Sequence, residues 1–285
     1  MAQACTEPRN MRLIPLIAAL PLTREHGSWA VLGVPLAIGI ASSGRLTFDQ
    51  AILVISALAF FIAGVPIGTL LHRRSGGQVA EEDLRVARFW GTVALSVGVL
   101  CGLYLLLHGY FFLLLFGVFG ATGFIARALW SRCAPFTLTG DLVGMSVLSA
   151  GAPAAYYVAT GNLDASAGQL WLLVVLFFAS SVFYVHMKIS AVRHKRDRLS
   201  FWEKLSIGRL TLLYHIVVIP LFVIMTVGRM SAVGMLIVYV PVVMHVVMGT
   251  ITLSRNVRFK RLGFMLLGQA VIFGILLTMT IRSLS

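Results

Sequence analysis

The apolar residues of this chain fall into long, nearly uninterrupted runs that are separated by short polar segments. Strict alternation would indicate half-buried strands, and an apolar stripe would indicate a surface helix, but a run of about 20 apolar residues is typical of a membrane-spanning helix. The runs predict nine spans. They are 28–43, 48–71, 89–107, 110–126, 139–160, 170–190, 205–227, 231–253 and 262–281.

These spans predict an all-α polytopic membrane protein with one transmembrane domain over residues 28–285, preceded by a cytoplasmic or interfacial segment over 1–27. The apolar stretch 11–22 is short and contains Pro15 and Pro21. We expect it to lie at the membrane surface, and the alternatives are a cleaved signal peptide or an extension of the first span.

Composition and charge agree with a membrane protein. The chain is 59% hydrophobic and 12% charged with a formal net charge of +13, whereas a soluble domain carries about 25% charged residues. No basic stripe is interleaved with aromatic residues as single-stranded nucleic acid requires, so we predict no nucleic-acid partner.

The positive residues are distributed unevenly between the two sets of loops. Twenty of the 23 Lys and Arg residues lie in one set of alternating loops or at the adjoining helix ends. Those loops are 1–27, 72–88, 127–138, 191–204 and 254–261. Because Lys and Arg accumulate in cytoplasmic loops, we predict a cytoplasmic N-terminus and an external C-terminus in the bacterial cytoplasmic membrane.

The densest positive cluster follows the sixth span, in residues 183–204. Within it, His186, Ser190, Arg193 and Asp197 are spaced four, three and four residues apart, which puts them on one face if a helix continues to Asp197. Such a polar face at the end of an apolar helix is either a topology anchor or the entrance of a site.

Two histidines and one acid lie within or next to the predicted spans. Because ionisable groups inside a membrane are costly, His215 and His245 are either neutral structural histidines or members of a polar cavity open to the cytoplasm. Asp141 either caps the start of the fifth span or pairs with an arginine or histidine of that cavity.

Three stretches resemble the YwiC-like membrane proteins. They are REHGSWA (24–30), which leads into VLGVPLAIGIA, Gly140-Asp141-Leu142 with AGAPAAYYVATG (150–161), and FFASSVFYVHMKISAVRHKRD (177–197). That family is similar in layout to the UbiA superfamily of intramembrane prenyltransferases. The resemblance implies nine helices around a lipid-facing cavity, with cytoplasmic loops after the second and sixth spans as a cap.

The chain departs from the UbiA pattern at both Asp-rich motifs, which in those enzymes hold magnesium and a prenyl diphosphate. It reads IGTLLHRRSGG (67–77) and HMKISAVRHKRD (186–197) at the two positions. Hard cations need several oxygen ligands, which these basic side chains lack. We therefore predict no cofactor, and magnesium follows only if the UbiA-like chemistry is retained.

The sequence thus leaves three functional hypotheses. The first is binding of an anionic isoprenoid or quinone-like membrane lipid, with prenyltransferase chemistry absent or altered. The second is transport of a small anion, and the third is a non-catalytic role in membrane assembly. The candidate ligand-binding residues are His72, Arg73, Arg74, Asp141, His186, Lys188, Ser190, Arg193, His215 and His245.

Overall fold

The computed structural model describes residues 26–133, 137–194, 199–226, 232–254 and 256–283, and within these ranges the chain is all-helical without a strand. The helices are α1 (His26–Ser43), α2 (Phe48–Arg74), α3 (Glu81–Leu107), α4 (Leu113–Cys133), α5 (Leu138–Ser149), α6 (Gly151–Thr160), α7 (Ala165–Val192), α8 (Phe201–Thr226), α9 (Ala232–Ile251) and α10 (Phe259–Arg282).

This order confirms an all-α multi-pass membrane protein. Each of the nine predicted spans coincides with one helix, except the fifth, which α5 and α6 share. Six elements are long and apolar enough to cross a membrane: α2, α3, α5 with α6, α7, α8 and α10. The other three helices are apolar over the shorter stretches Gly27–Ser43, Leu113–Arg127 and Ile237–Ile251. The predicted interfacial segment 11–22 lies outside the described residues.

The fifth predicted span is interrupted at Ala150, which ends α5 and precedes α6. Pro153 follows in the first turn of α6 and has no N–H to donate to the carbonyl of Ser149. The loss of this i→i−4 bond explains why the helix breaks between these two residues.

Helix α7 ends earlier than the spacing of the basic stretch required. Its last helical residue is Val192, and Arg193 is the C-cap. Asp197 lies outside the described residues. Of the four residues predicted to share one helical face, only His186 and Ser190 lie within α7.

The described chain divides into two compact units. The first comprises residues 55–100, which include the C-terminal part of α2 and the N-terminal part of α3. These two segments pack as a hairpin, in which Ser56 donates a 3.0 Å hydrogen bond to the carbonyl of Gly98. The prediction of a single transmembrane domain stays a prediction.

The second unit comprises residues 25–54 and 101–285, and its core lies around α7. Phe177 on α7 is fully buried and stacks on Phe273 of α10 with ring centroids 3.9 Å apart. Helix α7 packs against α5, α6 and α8, while α1 packs against α6 and α10. Gly39 makes the α1–α6 contact close, because a Cβ atom at this position would lie 2.9 Å from the carbonyl carbon of Ala152.

Candidate functional site

The C-terminal half of α7 meets α4 and α5 in a cluster of three ionisable side chains. Asp141 lies at its centre: Oδ1 accepts a 2.8 Å hydrogen bond from Nη1 of Arg127, and Oδ2 is 2.9 Å from Nε2 of His186. The Arg127 side chain is 50% exposed, and those of Asp141 and His186 are 28% and 24% exposed. The cluster is therefore open to its surroundings on the arginine side.

The proton positions in this cluster follow from the chemistry of its central carboxylate. An ionised carboxylate only accepts, so Nε2 of His186 donates to Asp141 and carries a proton. Both observed hydrogen bonds of Arg127 come from Nη1, which donates to Asp141 and also lies 3.4 Å from the carbonyl oxygen of Gly140. The remaining N–H groups of the guanidinium have no partner among the described residues and remain available to an anion.

Asp141 lies near the N-terminal end of α5, which another residue caps. Thr137 is the N-cap of α5, and its hydroxyl accepts a hydrogen bond from the N–H of Gly140. The helix-capping alternative for Asp141 therefore does not apply. Asp141 lies one turn further on, where the helix dipole stabilises negative charge.

Lys188 lies on a different face of α7. Two helical residues rotate by about 200°, so Lys188 turns away from His186. Its ammonium donates a 2.9 Å hydrogen bond to the carbonyl of Gly249 in the last turn of α9, and Lys204 donates a 3.0 Å bond to the carbonyl of Ile251. Both lysines thus satisfy carbonyl groups at the end of α9, where the helix dipole favours cations.

His215 has partners for both ring nitrogens. Its Nδ1 lies 2.7 Å from the carbonyl oxygen of Thr211 and must donate, because a carbonyl only accepts. Its Nε2 then accepts from the hydroxyl of Ser180 at 2.9 Å. Both Ser180 and His215 are buried, so this neutral pair has the features of a structural histidine rather than of an open site.

His245 differs from His215. Its Nε2 is buried and has no hydrogen-bond partner among the described residues. Its ring lies against that of Tyr184, with centroids 4.7 Å apart, and the ammonium of Lys188 lies 5.0 Å from the same tyrosine ring. A buried imidazole without a partner is a polar position that the surrounding helices leave unsatisfied.

The other candidate residues lie at helix ends. Ser190 and Arg193 are exposed at the end of α7. His72, Arg73 and Arg74 belong to the other unit, in the last turn of α2, where Arg73 lies 3.7 Å from Glu81. Among the described residues, no group of three or more His, Cys, Asp or Glu side chains could hold a metal ion.

Arg127 and Ser180 belong to these arrangements but are not among the residues predicted from the sequence. Arg127 lies on α4 and Asp141 lies on α5, so no helical spacing connects the two. Ser180 is one of many small polar residues within apolar runs, and only its contact with His215 distinguishes it. The one sequence signal for Arg127 is its position at the start of a positively charged loop.

Comparison with known proteins gives one family and one relative. The family model described as YwiC-like protein matches residues 22–156, a region that includes Arg127 and Asp141 and ends before α7. The Bacillus subtilis (strain 168) protein named "Uncharacterized protein YwiC" is 25% identical over 193 residues, which are 64% of this chain and 72% of the relative. No solved structure matches.

Proposed function

We propose that this multi-pass helical membrane protein, which is similar to the YwiC-like family over residues 22–156, binds an anionic lipid of isoprenoid or quinone-like type through Arg127. The supporting observation is the half-exposed guanidinium of Arg127, which Asp141 holds in place from one side. His186 in turn holds Asp141 through its second oxygen, so α4, α5 and α7 together orient the arginine.

The geometry favours a phosphate or similar anion as the group that Arg127 recognises. A guanidinium offers two parallel N–H donors to such an oxyanion, and Nη1 alone is occupied by Asp141. The formal charges of Arg127 and Asp141 balance, so an anion that binds the remaining N–H groups of Arg127 meets no excess of negative charge.

The surrounding protein favours a lipid over a soluble anion. Helix α4 carries exposed apolar side chains along its length, including Leu114, Val118 and Ile125. Arg127 lies beyond these apolar side chains, towards the C-terminal end of α4. A lipid whose tail lies along the apolar side chains can place its head group beside this arginine. We propose binding alone and no reaction step.

Native mass spectrometry of the purified protein tests the proposal. In Arg127→Gln, the retained anionic lipid should fall about tenfold, since hydrogen bonds to charged groups contribute about 1.5–3 kcal/mol. Arg45→Gln is the matched control, because Arg45 is an exposed arginine in the loop between α1 and α2. Equal lipid content in wild type and Arg127→Gln would contradict the proposal.

Asp141→Asn separates lipid binding from a purely structural role of the cluster. Asparagine keeps an oxygen that accepts from Arg127 but removes the competing negative charge. Lipid retention should therefore stay equal to wild type or rise, whereas loss of the lipid together with loss of thermal stability would indicate that the cluster only holds the helices together.

We further propose that the end of the helices that carries Arg127 faces the cytoplasm of a bacterial cell. The support is the concentration of Lys and Arg in the loops at this end. A membrane-impermeant thiol reagent applied to intact cells should label a cysteine introduced at Arg45 and spare one introduced at Lys260. Both substitutions belong in a background that lacks the native cysteines, and the reverse labelling pattern would refute the orientation.

Transport of a small anion is the second candidate, and the observation that favours it is the buried, unpartnered Nε2 of His245. Proteoliposomes that contain the wild-type protein would then show anion flux, and His245→Phe would abolish it. Flux at the level of protein-free liposomes for inorganic phosphate, chloride and acetate would remove this candidate.

A further inference from the structure

Asp49 lies in an aromatic cluster that the lipid-binding proposal does not use. The cluster is formed by the start of α2, the end of α3, the α3–α4 turn and the end of α6, all within the second unit. Arg127 lies fourteen residues after the first residue of α4, which places it about 21 Å along the helix from this end. The two sites are therefore separate.

The carboxylate of Asp49 is bound by two phenols. Tyr110 donates to Oδ2 at 2.8 Å, and Tyr104 donates to Oδ1 at 3.5 Å. Asp141 pairs with Arg127, and Asp164 caps α7 through two backbone N–H groups. Asp49 has neither kind of partner, since no Lys, Arg or His among the described residues lies within 4.0 Å of it.

The phenols leave the negative charge of Asp49 in place. Burial, followed by the hydrogen bond to Asp49, raises the pKa of Tyr110 to about 12. At neutral pH the phenol is therefore a neutral donor. An ionised carboxylate has lone pairs beyond the two that the phenols occupy, and each phenolic oxygen can still accept a hydrogen bond. Three acceptor groups, from Asp49, Tyr104 and Tyr110, thus lie together around one negative charge that no cationic side chain among the described residues pairs with.

Further aromatic rings lie beside these acceptors. Tyr157 is buried and contacts the ring edges of Tyr110 and Phe112, at centroid distances of 5.8 and 5.7 Å. Phe112 is 51% exposed and Phe48 is 69% exposed. The cluster is therefore buried at Tyr157 and exposed at the two phenylalanines, and cations are attracted to the faces of aromatic rings.

We propose that the cluster around Asp49 is a binding site for an organic primary ammonium group, such as the head group of an ethanolamine lipid. A primary ammonium has three N–H donors, which match the carboxylate and the two phenolic oxygens in number and sign. The aromatic side chains of the cluster exclude water from one side of the cation and contact its methylene group. An anionic head group is disfavoured, because it would meet the charge of Asp49.

The first test compares two lipids by native mass spectrometry of the full chain. The protein is equilibrated with detergent micelles that contain equal amounts of phosphatidylethanolamine and phosphatidylglycerol. Wild type should retain phosphatidylethanolamine in preference, and Asp49→Asn should retain about tenfold less of it, which corresponds to the loss of a charged hydrogen bond.

Asp164→Asn is the matched control. It removes the same charge from the start of α7, and asparagine is as good an N-cap as aspartate, so the helix keeps its cap. Its lipid retention should equal that of wild type. If Asp49→Asn destabilises the protein, Tyr104→Phe provides a milder variant, because it removes only the phenol at 3.5 Å and should lower retention about two- to threefold.

The second test separates a lipid head group from a free amine. Ethanolamine hydrochloride, matched in ionic strength with sodium chloride, is titrated against the thermal unfolding midpoint. A rise in wild type and Asp164→Asn that is absent in Asp49→Asn would show that a free amine suffices. No rise, together with Asp49-dependent lipid retention, would assign the site to the lipid. Lipid retention and unfolding midpoints that respond equally in Asp49→Asn and wild type would overturn the proposal.

Discussion

The contact between α1 and α6 provides a sharp test of how closely two helices pack in this protein. Gly39 of α1 faces the first turn of α6, where an added Cβ would fall well inside contact distance of the carbonyl oxygen of Ala152. The same atom would lie 2.9 Å from the Cβ of Ala155, a separation that side chains essentially never adopt. We predict that Gly39→Ala destabilises the protein, because the two backbones must separate.

The size of the effect follows from two opposing contributions. Overpacking of a close contact costs about 1–3 kcal/mol, and the obstacle here is helix backbone, which cannot move aside as a side-chain tip does. Replacing glycine by alanine inside a helix returns about 0.5–1 kcal/mol. The expected net loss in the free energy of unfolding is therefore about 1–2 kcal/mol.

Gly33→Ala in the same helix is the matched control. An added Cβ at Gly33 meets no atom within 4 Å, so only the helix-propensity contribution applies and stability should be unchanged or higher. The assay is reversible unfolding of both variants and wild type in the same detergent. A Gly39→Ala protein as stable as Gly33→Ala would refute the inferred backbone contact.

The remaining predictions concern single hydrogen-bonded groups. Lys188→Met should lower the free energy of unfolding by about 1–3 kcal/mol, because it leaves the buried carbonyl of Gly249 without a donor. Lys204→Met should lower it by less, because water reaches the more exposed carbonyl of Ile251. Equal losses in the two variants would contradict the difference in burial. Ser180→Ala should also lower the free energy of unfolding by about 1–3 kcal/mol, because it leaves Nε2 of His215 without its donor. Unfolding in detergent measures the loss, and a stability equal to wild type would contradict the hydrogen bond between Ser180 and His215. The pKa of Tyr110 is raised from 10.0 to about 12 in the folded protein, so the unfolded state loses its proton first as pH rises. The contribution of Tyr110 to stability is therefore retained below pH 10 and falls between pH 10 and about pH 12. Unfolding measured across this window should show a smaller decline in Tyr110→Phe than in wild type.

The span pattern was predictable because membrane insertion depends on local properties. Whether 20 consecutive residues are apolar is decided within the segment itself, and nearly every predicted span has its helix. The interruption at Ala150 was missed although Pro153 was visible in the sequence, because many transmembrane helices accommodate proline without a break. The end of α7 at Val192 also differs from the continuation to Asp197 that the polar spacing required.

The candidate sites were predictable only in part, because they depend on which helices are neighbours. Lys188 and His186 are two residues apart in one basic stretch, yet one binds the end of α9 and the other binds Asp141. His215 and His245 look alike in sequence, and only the position of Ser180 gives one of them a donor that the other lacks.

The sequence alone determined that this chain is a helical multi-pass membrane protein that resembles the YwiC-like proteins, since hydropathy, length and short motifs are properties of contiguous residues. The tertiary structure decided the partners of its few polar side chains: Arg127 with Asp141, and Asp49 with Tyr104 and Tyr110. The physical reason is that an apolar run shows that a helix lies in a membrane but carries little information about which helices are its neighbours. In a low-dielectric interior, however, the contacts between neighbouring helices decide which polar groups are satisfied and which remain available to a ligand.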